Sequence, residues 1–214
     1  EKQRVKRYAQ DWYDSSLVNR GFNGGIIVAI KGNVVFEAYR GSGHLEKKDS
    51  ITNTTSLHIA SVSKTFTAMA VLKLWQDGKL SIDDELNKYF PGFNYPGVTV
   101  RSLLNHRSGL PNYVYFMEAQ GWDKKQLVKN EDVLNYLVTK KATLTNIGAP
   151  NAHFAYCNTN YALLALLIEK ISGERYADFL RNRFFIPLKM THTFVADSSM
   201  FEKLMPSYDW RGQI

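Results

Sequence analysis

Apolar residues recur at helical spacing from about Lys2 to Asn19, through Val5, Tyr8, Ala9, Trp12 and Tyr13, and predict an amphipathic helix. Gly24-Gly25 breaks that pattern. Two β-branched and aromatic runs follow, Ile26 to Ile30 and Val34 to Tyr39, separated by Lys31-Gly32-Asn33, so a hairpin is predicted. Residues 41–55 are polar and rich in Gly, Ser and Asn, the composition of a loop. The stretch Leu57 to Ala68 then enters a helix that runs to about Gln76, with Gly78 as its stop. Phe66, Met69, Ala70, Leu72 and Leu74 predict a helix buried on most sides.

Further along, Leu80 to Leu86 predicts a short capped turn, and Pro91, Gly92, Pro96 and Gly97 punctuate the next loop. Thr99 is placed to cap a helix from Val100 to His106, with a sharp exit at Gly109-Leu110-Pro111. Residues 112–130 are aromatic and irregular in pattern, suited to lining a cleft. Asn130 is placed to cap a helix to about Lys140. Ala162 to Ile171 is apolar nearly all round and predicts a buried helix, ended by Gly173; a last helix spans about Tyr176 to Phe185, before Pro187.

Composition sets the scale of the fold. The chain has 214 residues, 44% of them hydrophobic, enough for a substantial core in one large domain or two interleaved lobes. Its 27 basic and 20 acidic residues leave a net charge of +7. Apart from Lys2, Arg4, Lys6 and Arg7 the basic residues are scattered, with no basic stripe interleaved with aromatics, so nucleic acid is not an expected partner. No apolar run approaches the roughly 18 residues that cross a bilayer. The single cysteine, Cys157, excludes an intrachain disulfide and a multi-cysteine metal site. No His/Asp/Glu cluster has ligand spacing, so neither metal nor cofactor is expected. The chain begins at Glu1 rather than Met, which is compatible with a cleaved export signal and a location in the periplasm or cell envelope.

Candidate chemistry begins at Ser61 and Lys64. Three residues apart on a helix, they share a face, with Cβ atoms about 5–6 Å apart. An amine at that distance can take the hydroxyl proton when its surroundings keep it neutral, and a serine needs such a base to act as a nucleophile. Placement in the first helical turn would favour negative charge developing there. A capping serine beside a solvated lysine fits the same spacing. His106 is a second candidate base, although a histidine before a Gly-Pro turn more commonly serves as a structural hydrogen-bonder. Tyr156 and Asn158 flank one residue, so in an extended segment their side chains project the same way. A phenol near an ammonium can serve as general base, and an amide beside it can hold a substrate carbonyl; a tyrosine packed in a core reads the same in sequence.

Taken together, Ser61-Val62-Ser63-Lys64, His106-Arg107-Ser108-Gly109-Leu110, Tyr156-Cys157-Asn158 and Pro187-Leu188-Lys189-Met190-Thr191-His192-Thr193 occur in an order and spacing that resemble the serine β-lactamase-like family. That family holds class C β-lactamases, D-alanyl-D-alanine carboxypeptidases, penicillin-binding proteins and related esterases. The resemblance covers nearly all of residues 22–195. It implies an α/β (α+β) fold of the β-lactamase/transpeptidase type, with residues 1–55 supplying an N-terminal helix and sheet hairpin and 56–200 a helical lobe. It implies a serine hydrolase or acyltransferase in which Ser61 attacks a carbonyl, Lys64 and Tyr156 shuttle its proton, and Asn158 orients the substrate amide. The Ser61 N–H would form half of an oxyanion hole. The substrate would be a β-lactam, a D-Ala-D-Ala peptide or a small ester. The alternative is a penicillin- or peptidoglycan-binding sensor that does not turn its ligand over.

Several positions depart from the family pattern. Cys157 stands where serine is common, Asn151 follows Pro150 where glycine is usual, and Lys189 also replaces a glycine. The family's third motif, Lys-Thr-Gly or a His-x-Gly variant on a C-terminal strand, has no counterpart in these residues. The expectation is therefore a partial domain that is incompetent alone, with the edge of its hairpin paired by a C-terminal fragment or a second copy.

Overall fold

The computed structural model describes residues 1–44, 49–145 and 147–208. They fall into two compact units, Glu1–Ile59 with the segment from Val195 onward, and Ala60–Phe194.

In the first unit, α1 (Lys2–Trp12) continues into one widened π turn at Tyr13–Leu17 and a tight 3₁₀ turn at Val18–Arg20. Helical backbone thus extends as far as the apolar pattern predicts, but its inward face differs. No residue of α1 is buried, and Tyr8 and Trp12 are exposed; burial starts at Tyr13. The Tyr13 ring meets Phe22 edge-on at 6.1 Å and Phe36 at 5.6 Å, an aromatic cluster that joins helix to sheet. Strands β1 (Gly24–Ile30) and β2 (Asn33–Arg40) pair antiparallel. Lys31 and Gly32 between them both have left-handed φ, 48° and 77°, the backbone a two-residue type I′ turn requires. The register runs from Gly24↔Arg40 to Val28↔Phe36 and then shifts to Ala29↔Val34, so Val35 is the extra residue of a β-bulge.

The second unit is built around α6 (Asn158–Ser172). Leu163, Leu164, Leu167 and Ile168 on it are fully buried, each contributing about 1.5–3 kcal/mol of transfer free energy. It packs against α2 (Ser63–Gln76), α3 (Val100–Leu104), α4 (Tyr113–Ala119), α5 (Asn130–Thr139) and α7 (Tyr176–Leu180). Gly173, with φ 72°, ends α6 in the left-handed cap that favours glycine. α7 passes into a π turn, Arg181–Phe185, ahead of Pro187.

Four details differ from the pattern-based expectation. α2 is buried on one stripe only: Thr67, Ala70, Val71 and Leu74 face inward, whereas Met69, Leu72 and Trp75 are exposed. Positions 67, 70, 71 and 74 make one helical face, and the helix packs against α6 and α7. α3 stops at Leu104 because His106, at φ 57°, turns out of the helix. The stretch expected to be irregular contains α4. Helix α5 is capped at Lys129 rather than Asn130: the Lys129 N–H donates to the Asp132 carboxylate at 2.9 Å. The Thr99 cap is present as a reciprocal pair, Ser102 N–H donating to Thr99 Oγ1 at 3.1 Å and Thr99 N–H to Ser102 Oγ at 2.9 Å. No helix among the described residues is long and apolar enough to cross a membrane.

Candidate active site

Ser61 lies in a 3₁₀ turn, Ala60–Val62, that leads into α2, one step before the first α-helical turn in which the motif places it. The turn opens at Ala60, whose φ of 43° is left-handed. A non-glycine residue there costs about 1–2 kcal/mol, strain of the kind that gathers at functional turns. Across the turn, the Lys64 Nζ donates to Ser61 Oγ at 3.1 Å. From the extended segment before α6, Tyr156 brings its hydroxyl to 2.7 Å from the same oxygen. Three of the four predicted site residues therefore meet at one atom. Asn158 joins through the chain: it opens α6 two residues after Tyr156, half-buried, with its N–H donating to Asn112 Oδ1 at 3.3 Å.

Charge placement favours proton transfer here. The Lys64 hydrogen bond, and after it the Ser61 hydrogen bond, hold the Tyr156 phenol below its ordinary value, against a small opposing effect of burial. The Lys64 ammonium also lies 4.9 Å from the centroid of the Tyr156 ring and 5.8 Å from that of Tyr161, within cation–π reach of both. Tyr156 is 49% exposed, so water screens part of these effects. Among the described residues, no group of three or more His, Cys, Asp or Glu side chains is arranged to hold a metal.

The segment carrying Tyr156 and Asn158 is stapled to the loop that follows α3. Ala155 N–H donates to the His106 carbonyl at 2.9 Å, Asn151 N–H to the Arg107 carbonyl at 2.7 Å, and Gly148 N–H to the Gly109 carbonyl at 2.7 Å. Gly109 combines φ 72° with a close approach that would set a Cβ 2.2 Å from the Gly148 oxygen, so only glycine fits. Thr159 Oγ1 donates to the Pro111 carbonyl at 2.7 Å and accepts the Tyr113 N–H at 2.8 Å. His106 is buried in this seam, its Nδ1 accepting the Cys157 N–H at 3.1 Å. It makes no hydrogen bond to Ser61, which places it in the structural role and leaves Lys64 and Tyr156 as the bases in reach. The sequence reading passed over Asn112, Thr159 and Asn160. Polar residues at the head of an otherwise apolar helix were the only local hint, and Thr159 and Asn160 prove fully buried.

The departures noted in the sequence are accommodated. Cys157 turns its sulfur inward, 3.5 Å from the Leu110 carbonyl, and burial pushes its thiol up. Asn151 at φ 65° and Lys189 at φ 57° keep the left-handed backbone that a glycine would adopt freely. Ser108, the other serine of the second motif, is 2% exposed and hydrogen-bonded on both sides.

The family model for Beta-lactamase matches residues 7–211. Penicillin-binding protein 4* of Bacillus subtilis is 33% identical over 97% of this chain, which spans 45% of that protein. The octameric penicillin-binding protein homologue from Pyrococcus abyssi superposes with a TM-score of 0.77 at 28% identity, covering 95% of this chain and 48% of that one. A D-amino acid amidase from Ochrobactrum anthropi does so with a TM-score of 0.71 at 26% identity, over 93% of this chain and 56% of that one. The fold is of the β-lactamase/transpeptidase type. The chain spans about half the length of these relatives or less. On the family match across nearly its whole length, the chain belongs to the Beta-lactamase family.

Proposed function

We propose that Ser61 is the nucleophile of a serine acyl-transfer centre. The observation that carries this reading is the convergence of Lys64 Nζ and Tyr156 Oη on Ser61 Oγ, at 3.1 and 2.7 Å. With the phenol deprotonated, the same short separation makes the serine hydroxyl the donor. Its proton then passes to Tyr156 as Oγ bonds to a carbonyl carbon. The Lys64 ammonium stabilises the phenolate meanwhile. Collapse of the tetrahedral adduct breaks the bond to the leaving nitrogen or oxygen, which takes the proton from Tyr156, and leaves an ester on Ser61. Water, activated by the same phenolate, hydrolyses that ester. Asn158, at the head of α6, would hold the substrate amide, and the Ser61 N–H would supply one oxyanion donor.

The names of the relatives, penicillin-binding protein and D-amino acid amidase, support a β-lactam or a peptide or amide with a D-configured residue as substrate. A small ester tests the chemistry without that specificity. The experiment is burst and steady-state kinetics of the full-length protein with a chromogenic cephalosporin, a peptide ending in D-Ala-D-Ala, and a p-nitrophenyl ester. A stoichiometric burst followed by turnover is the expected result. A burst without turnover would instead favour the sensor reading. No burst with any of the three would overturn the acyl-transfer reading.

A further inference from the structure

The catalytic reading uses Ser61, Lys64, Tyr156 and Asn158, and leaves unexplained a file of buried polar groups directly behind them. Its hydrogen bonds run in one direction. The Leu110 N–H donates to Ser108 Oγ at 3.1 Å, and the Ser108 hydroxyl donates to Asn160 Oδ1 at 2.7 Å. That fixes the Asn160 amide with Nδ2 turned toward His106 Nδ1, 3.3 Å away. The Cys157 N–H donates to the same Nδ1 at 3.1 Å. Two N–H groups therefore aim at one ring nitrogen. An imidazole nitrogen has a single in-plane lone pair, so Nδ1 is unprotonated and the ring proton sits on Nε2. Asn160 and Ser108 are almost wholly enclosed, which leaves no water to compensate if that acceptor is lost.

We infer that His106 is a positioning residue that works only as the neutral Nε2–H tautomer: its Nδ1 holds the backbone between Tyr156 and Asn158, and protonation releases it. The inference rests on the acyl-transfer reading and adds a pH control to the same site. Cys157, whose N–H is held, is the link between the two residues that would carry the proton and the substrate amide. The His106 ring also backs the Tyr156 ring at a centroid distance of 4.5 Å and the Tyr161 ring at 5.1 Å. A proton on Nδ1 would meet the Asn160 and Cys157 donors head-on and would add a second cation beside Lys64. The groups facing His106 are Lys64 from α2, Phe154, Tyr156 and Cys157 from the extended segment, and Asn160 and Tyr161 from α6; Arg107, next in the chain, turns its guanidinium to the Asn151 carbonyl. No carboxylate is among them to favour the imidazolium. Burial first, and the Lys64 charge second, keep the His106 proton affinity below the ordinary value, so the neutral form prevails at neutral pH.

Two variants and one spectroscopic measurement test this. His106→Asn keeps an amide oxygen where Nδ1 lies, tolerates the left-handed φ of 57°, and cannot titrate in this range. His106→Ala removes the acceptor. Acylation of the full-length protein by a p-nitrophenyl ester is followed from pH 5 to 8. His106→Ala is expected to lose on the order of 10²-fold, the cost of a misplaced catalytic group. His106→Asn is expected to recover at least ten-fold of that and to lose the fall at low pH that follows the His106 titration, keeping only the rise that belongs to Tyr156. An alanine variant as fast as the parent, or an asparagine variant with that fall unchanged, would overturn the inference. In parallel, two-bond ¹H–¹⁵N spectra of the histidine rings read the tautomer without any acylation. Nε2–H for His106 at pH 7, with the Cys157 amide signal shifting as the ring is protonated, is the expected result. An Nδ1–H tautomer, or a Cys157 amide indifferent to that titration, would overturn it even if the site proved to acylate nothing.

Discussion

At the scale of single residues, the account turns on which side chain handles the serine proton. Spacing alone put Ser61 and Lys64 on one helix face and Tyr156 beside Asn158. It could not bring residues 61 and 156 together, because no local periodicity relates them; the family pattern did that, and the 2.7 Å hydrogen bond is where the two segments meet. The contacts of Asn160 are hidden in the sequence for the same reason. Its partners, Ser108 and His106, are distant in sequence, and a buried amide has no periodic signature. Replacing Tyr156 by Phe keeps the ring against His106 and removes only the hydroxyl. Acylation is expected to fall by roughly 10²–10⁴, the usual worth of one general acid–base group. Because the phenol is held below its ordinary value, the parent's rate should climb with pH to a plateau below the usual tyrosine range, and the variant should lose that upper limb while keeping the lower one that follows His106. Stopped-flow acylation across pH checks both. Equal rates for the two proteins would make Tyr156 a packing residue.

At the scale of elements, local signals did well where a cap or turn is made by neighbours. Thr99 with Ser102, Lys31-Gly32 and Gly173 all stand where their chemistry requires. They did less well on which face of a helix is buried, since α1 and α2 owe their exposure to what packs on them rather than to their own pattern. The turn expected at residues 80–86 shows what its polar residues do. Asp84 takes the Ser81 N–H at 3.0 Å and the Lys88 ammonium at 2.9 Å, and accepts the Tyr89 hydroxyl as well. The Tyr89 bond first, then Ser81 and Lys88, hold its carboxyl at about 2. The folded value lies below the ordinary one of roughly 3.9, so the stabilisation is complete above about pH 4 and is lost as pH falls through 2. With the Asp84 side chain 19% exposed, the effect should be at most about 2 kcal/mol. Asp84→Asn is expected to cost about that at pH 7 and little at pH 2, by urea unfolding at both. An equal cost at the two pH values would contradict the assignment to charge.

At the scale of the whole molecule, the two units differ in how their backbone is secured. Residues 60–194 are organised round a helix whose hydrogen bonds are internal and whose sides are covered by five others. Residues 1–59 rest on a hairpin. Among the described residues its sheet has two strands, and an isolated pair is marginal in water. Ile27 and Val34 are exposed on it, and α1 buries none of its own side chains. In the sequence, a polar loop separates an alternating pattern from a helical one. The covering of the hairpin was not legible there, because sheet neighbours are set by topology rather than by local pattern. Native-state hydrogen exchange should find the α6 amides opening only with global unfolding, and those of residues 24–40 opening at lower free energy. Equal protection in both segments would show the hairpin to be self-sufficient.

The central claim is that Ser61, primed by Lys64 and Tyr156, takes up an acyl group. Its most direct test is intact mass and peptide mapping of the full-length protein after reaction with a fluorescent penicillin and with an activated ester. One adduct, on the peptide carrying Ser61 and abolished by Ser61→Ala, is the predicted result. An adduct on Ser63 or Ser108 with Ser61 unmodified would contradict the account.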